Sequence, residues 1–81
     1  MDKHTAFEKV KSILEDVFEG QNVEIQESTK AEDIELWDSL AHITILESVM
    51  EEFQISFSLD EMLELDGVEK IVNAVVKKSE G

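Results

Sequence analysis

The run Leu36-Trp37-Asp38-Ser39-Leu40 places a serine where an acidic loop gives way to a long amphipathic stretch. Three kinds of chemistry could use it. Serine is a preferred N-cap residue, and capping a helix is worth about 1 kcal/mol. Ser39 has no Glu or Gln three residues on to complete a capping box; His42 stands there. Alternatively, a hydroxyl at a helix start is offered to solvent. The positive end of the helix dipole favours an anion there, so a phosphate ester on that oxygen is tolerated. Asp38 opposes such a charge unless a divalent cation or a partner enzyme is bound. Thirdly, Ser39 and His42 lie one helical turn apart, the spacing that would bring a nucleophile near its base. No Gly-x-Ser-x-Gly elbow surrounds the serine, and nothing supplies an oxyanion hole. No catalytic residue is assigned on this ground. His42 reads as a surface residue beside the site, and Trp37 as a loop anchor or a partner contact.

Metal chemistry finds no support. With Gly67 aligned to the glycine of a calcium-binding loop, Met62 falls at position 1 and Asn73 at position 12, where oxygen-rich acidic ligands are needed. The chain has no cysteine, which removes disulfides, thiolate metal sites and a cysteine nucleophile.

Elements that position these residues follow from periodicity. Thr5 to Glu19 carries Phe7, Val10, Leu14, Val17 and Phe18 on one helical face, with Ile13 beside them. Thr5 and Glu8 form a candidate capping box, and Gly20 a stop. Gln21 to Asp38 has no sustained period, and Ile34, Leu36 and Trp37 are its expected anchors. Ser39 to Phe53 is the second helix, with Leu40, Ile43, Leu46, Met50 and Phe53 on its apolar face. Ser58 and Glu61 cap a short third helix through Leu65, and Asp66 and Glu69 repeat the signal before a fourth that ends near Lys77 and Lys78. Lysines suit a helix C-terminus. The expectation is an all-α four-helix bundle: three long helices, one short third helix and a long first loop, in a single domain over 1–81 with 79–81 as a frayed tail.

Size and charge bound the function. Eighty-one residues hold one modest core and little room to enclose a substrate. No run approaches the roughly 20 apolar residues of a membrane span, and the N-terminus lacks a signal-peptide pattern, so a cytoplasmic monomer is expected. Seven lysines and no arginine face 20 acidic residues, for a net charge of −13. Between Lys30 and Lys70 only His42 is basic, against twelve Asp and Glu. Such a surface repels nucleic acid and anionic lipid and attracts basic partners.

Asp38-Ser39-Leu40, followed by "AHITILESVMEEFQISFS", resembles the acyl carrier protein family of phosphopantetheine-binding carriers. The likeness spans nearly the whole chain: an amphipathic first helix, a long loop, Asp-Ser-Leu, an acidic second helix ending in Glu51-Glu52-Phe53, a short third helix and an aliphatic fourth. It implies a carrier rather than an enzyme. Ser39 would receive 4′-phosphopantetheine from coenzyme A through a separate phosphopantetheinyl transferase. The arm's thiol would hold acyl or aminoacyl cargo as a thioester, carried between the biosynthetic enzymes that load and accept it. The resemblance assigns Asp38 and Leu40 to transferase recognition. It assigns docking on basic patches to the acidic second helix, with Glu47, Glu51 and Glu52, joined by Glu61 and Glu64 and flanked by Trp37 and His42. Ile43, Leu46, Phe57, Met62 and Leu63 are candidate lining for cargo, or simply packed core. Fatty-acid-synthesis carriers usually have acidic residues at the places of Ala41 and Thr44 and a glycine at that of Trp37. "WDSLAH" is more similar to stand-alone carriers of specialised pathways, such as polyketide, peptide or surface-polysaccharide clusters. The rival reading is an acidic, non-catalytic interaction domain that binds a basic partner or mimics nucleic acid, with Ser39 as a cap only.

Overall fold

The computed structural model describes residues 1–19 and 23–80, with the backbone alone for Glu80. Among these are four α-helices: α1 (Lys3–Val17), α2 (Ser39–Phe53), α3 (Leu59–Glu64) and α4 (Val68–Glu80). A 3-10 turn at Ala31–Asp33 interrupts the long loop, and the described residues form no β-strand beyond one isolated bridge. The all-α expectation holds.

Helix α1 forms because Ala6, Val10 and Leu14 recur every four residues and all three are buried. Its start differs from expectation. Asp2, not Thr5, is the cap, its carboxylate accepting the Thr5 N–H at 2.7 Å. Two extra helical residues before Thr5 need an earlier acceptor, and Asp2 supplies it. That hydrogen bond also holds the Asp2 carboxyl below the usual aspartate range. The expected stop at Gly20 lies outside the described residues.

The core lies where α1 packs on α4 and on α2. Val68, Ile71, Val72 and Val75 of α4 meet Val10 and Leu14 of α1 and Ile45, Leu46 and Val49 of α2 in one cluster. On α2 the buried stripe therefore runs through Ile45, Leu46 and Val49. Leu40 and Ile43, expected on that face, are exposed. Helix α2 ends at Gln54, which turns left-handed (φ 54°) and donates its N–H to the Met50 carbonyl.

Helix α3 starts as expected. The Ser58 hydroxyl accepts the Glu61 N–H at 3.2 Å, and the Glu61 carboxylate accepts the Ser58 N–H at 2.8 Å. Lys78 of α4 reaches the same carboxylate at 3.1 Å. The Ser58 N–H first, then Lys78, keep the Glu61 carboxyl below the usual glutamate range. Asp66, expected as a cap, instead holds Lys70 at 3.1 Å. Helix α4 continues past the two lysines to Glu80.

The first loop is held at three depths. Ile25, Ile34 and Trp37 are buried, whereas Leu36, expected to anchor it, is half exposed. Thr29 accepts the Gln26 N–H through its hydroxyl. An antiparallel bridge joins Lys30 to Gly67, with Ala31 donating to Asp66 O and Val68 to Thr29 O, both at 2.9 Å. The loop's backbone is thus tied to the start of α4 while its end leads into α2.

Leu14 is fully enclosed between helices. Replacing it by alanine should cost about 2–5 kcal/mol, a large part of a small domain's stability. Urea unfolding followed by circular dichroism reads this as a lower midpoint with unchanged slope.

Candidate functional site

The start of α2 is built by Asp38. Its carboxylate accepts the Ala41 N–H at 2.9 Å and its carbonyl accepts the His42 N–H at 2.9 Å. Asp38 is therefore the N-cap and Ser39 the first helical residue. The capping role that serine could have filled is taken. Among the described residues, no hydrogen bond engages the Ser39 hydroxyl, and the residue is exposed. The Ser39 and Leu40 N–H groups likewise have no partner among the described residues, as first-turn donors of a helix commonly do. An exposed hydroxyl thus sits at the electropositive end of a 15-residue helix, beside a carboxylate already committed to a backbone N–H.

Two residues earlier the chain turns inward. Trp37 is 6% exposed and packs on Phe18, the C-cap residue of α1, the ring centroids 6.3 Å apart. Its indole N–H donates to His42 Nδ1 at 3.0 Å, and His42 Nε2 lies 2.8 Å from the Met62 carbonyl on α3. Trp37 and His42 are the two docking residues expected beside the serine. One ring is buried, and both nitrogens of the other are engaged within the chain. Periodicity could not reveal this linkage, because the five-residue spacing crosses a loop–helix boundary and Met62 contributes a backbone oxygen.

Comparison with family models and with curated proteins returns no match. Among solved structures, the chain is similar to the solution NMR structure of the holo acyl carrier protein from Geobacter metallireducens. The two are 30% identical with a TM-score of 0.79, over 90% of this chain and 84% of that one. The chain belongs to the acyl carrier protein family.

Against that carrier fold the remaining site residues sort by environment. Glu47, Glu51 and Glu64 are exposed and form no ion pair among the described residues. Glu52 meets Lys9 at 3.7 Å, and Glu61 is held by Ser58 and Lys78. The five residues expected to line a cargo pocket do not share one environment. Leu46 is fully buried and Phe57 nearly so, Met62 is half-buried, and Ile43 and Leu63 are 48% and 70% exposed. Leu46 lies in the core with Ile45 and Val49, whereas Ile43 and Leu63 face solvent. Leu40, beside the serine, is 74% exposed. The clefts close to the serine are shallow, one running over Val17, Phe18, Leu36, Asp38, Leu40 and Thr44. No helix among the described residues is long and apolar enough to cross a membrane. No group of three or more His, Asp or Glu among them is arranged to hold a metal.

The division of labour between Asp38 and Ser39 is measurable. Asp38→Ala should destabilise the fold by about 1 kcal/mol through loss of the cap. Ser39→Ala should stay within about 0.5 kcal/mol, as an exposed first-turn residue does. Thermal unfolding of the two variants side by side gives the ordering, and equal losses would return the capping role to the serine.

Proposed function

We propose that this acyl carrier protein carries its cargo as a thioester on a 4′-phosphopantetheine arm attached to Ser39, and that it is loaded and unloaded by separate enzymes. The single observation that supports the attachment is the exposed Ser39 hydroxyl, free of intramolecular hydrogen bonds at the start of α2 while Asp38 does the capping. The solved relative is itself a holo carrier. The group fits the residues present. Its phosphodiester needs an accessible hydroxyl and an anion-tolerant setting, and the free first-turn N–H groups and helix dipole favour negative charge there. When bound, the arm supplies the thiol that this cysteine-free chain lacks.

In the attachment step the Ser39 oxygen attacks phosphorus in the pyrophosphate of coenzyme A. A P–O bond to serine forms, the pyrophosphate P–O bond breaks, and adenosine bisphosphate leaves. The serine proton passes to a base of the transferase. The work of this chain is to hold the hydroxyl at a fixed helix start and to offer Leu40 and Asp38 beside it as recognition features. Trp37 in place of glycine, and Ala41 and Thr44 in place of acidic residues, favour a carrier of a specialised pathway over one of fatty-acid synthesis.

Incubation with coenzyme A, magnesium and a broad-specificity phosphopantetheinyl transferase should add one phosphopantetheine mass to the intact chain, and Ser39→Ala should abolish the addition. An adduct that persists in the alanine variant would move the site. Failure with several transferases would return the chain to the role of an acidic interaction domain.

Docking on basic partner surfaces falls to the unpaired carboxylates. Reversing the charge of Glu47 and Glu51 should slow modification by the transferase and flatten its dependence on ionic strength, since screened long-range attraction speeds the encounter. The measurement is the rate of adduct formation across a salt series. A slope as steep as that of the unaltered protein would assign docking elsewhere.

A further inference from the structure

We propose that His42 is a positioning residue whose neutral imidazole clamps the loop before Ser39 to the α2–α3 pair, and that acidification opens the clamp on its loop side. An indole nitrogen can only donate. With Trp37 Nε1 3.0 Å from His42 Nδ1, that ring nitrogen must be bare and accepting. The imidazole proton then sits on Nε2, 2.8 Å from a Met62 carbonyl that can only accept. The two neighbours together select one neutral tautomer.

Both bonds hold weak points of the fold. Helix α3 has six residues and none of them is fully buried. A helix that short does not persist by its own hydrogen bonds. The Leu65 N–H goes to Glu61 O and the Asp66 N–H to Glu64 O, so the Met62 carbonyl is a helix-end acceptor that His42 satisfies. On the other side, Trp37 is the last buried residue before Ser39, and its indole N–H has His42 as partner.

Protonation affects the two sides differently. An imidazolium carries hydrogen on both nitrogens, so Nε2 still donates to Met62 O, and a cation at a helix C-terminus is favoured. At Nδ1, however, a new N–H faces the indole N–H, donor against donor, and that bond cannot survive. Charged groups on the surrounding elements include Glu19 after α1, Glu35 in the loop, Asp38 at the cap of α2, Glu47 on α2, Asp60, Glu61 and Glu64 on α3 and Lys78 on α4. The Asp38 carboxylate is committed to the Ala41 N–H, and Glu61 to Ser58 and Lys78. Among the described residues, none pairs with His42. Acid therefore uncouples Trp37 and the segment it anchors, while α3 stays attached. This rests on the fold alone and stands whether or not Ser39 is modified.

Trp37 is the only tryptophan and the chain has no tyrosine, so its emission reads the clamp directly. Acidifying the unmodified protein from neutral pH should change the emission in one sigmoidal step as the His42 ring takes up its second proton. His42→Gln, which can still donate to Met62 O but does not titrate, should be flat, and His4→Ala should titrate like the parent. In the parent, amide exchange at Trp37 and Asp38, corrected for its intrinsic pH dependence, should quicken about fivefold on acidification, as loss of one ordinary hydrogen bond requires, with α3 amides unchanged. Nitrogen-15 shifts of the His42 ring, which need no variant, should give a bare Nδ1 at neutral pH. A flat parent titration, a His42→Gln titration like the parent's, an Nδ1–H tautomer, or acid loosening of α3 ahead of the loop would each overturn the proposal. Because every readout uses unmodified protein, failure here leaves the carrier reading untouched, and failure of the modification assay leaves this one.

Discussion

The position of the Asp38 carboxylate against the Ala41 N–H fixes where α2 begins, and the rest of the site follows from that start. A helix begun one residue later would make Ser39 the cap and turn its hydroxyl onto the backbone. A helix begun earlier would draw Trp37 into regular α-geometry and out of its packing on Phe18. With the boundary at Asp38, successive residues do opposite things. Trp37 goes into the core, Asp38 closes the helix end, and Ser39 and Leu40 face outward. The carboxylate also answers the objection its charge raises. A carboxylate bound to a helix N–H is partly neutralised by the dipole it caps, so it is less hostile to a neighbouring phosphate than a free one.

The fold carries its charge imbalance by segregation. Three lysines lie on α1 and three on α4, the two helices that share the largest interface, while α2, α3 and the loop between Lys30 and the start of α2 are acidic. Lys9 approaches both Glu52 and the face of Phe53, and Lys78 both Glu61 and the face of Phe57. Each lysine thus offsets an acidic residue at the rim of the core and sets its ammonium over the face of an aromatic ring. Such exposed pairs add little stability individually. Their consequence is spatial: they tie up Glu52 and Glu61, and Glu47, Glu51 and Glu64 keep their full field toward solvent.

Periodicity and composition made the helices legible, because a 3.6-residue repeat of aliphatics has few other outcomes in a chain without proline. The Ser58–Glu61 box was legible because both halves are written in the local sequence. Capping elsewhere was not. Asp2 displaced Thr5 and Asp38 displaced Ser39, since two adjacent or nearby cap-forming residues compete and only the backbone path into the helix decides between them. The bridge between Lys30 and Gly67 and the Trp37–His42–Met62 chain escaped for a different reason. They join residues whose spacing carries no period, and each uses a backbone group that every residue has.

The exposed Leu40, Ile43, Leu59 and Leu63 show how a correct period can still mislead about depth. On α2 the apolar residues span more of the circumference than the core can cover, so the helix must leave some of them outside. The interior claims the side facing α1 and α4, which is the Ile45, Leu46 and Val49 side. What remains lies on α2 and α3 beside the unpaired glutamates and next to Ser39. For an isolated domain this apolar surface is a liability. For a carrier of the proposed kind it is the surface that an enzyme acting at Ser39 must meet, where acidic residues attract a basic partner from a distance and the leucines supply contact area on arrival. Of the residues whose spacing suggests a cargo lining, Ile43 and Leu63 are placed for such contact, whereas Leu46 and Phe57 belong to the core.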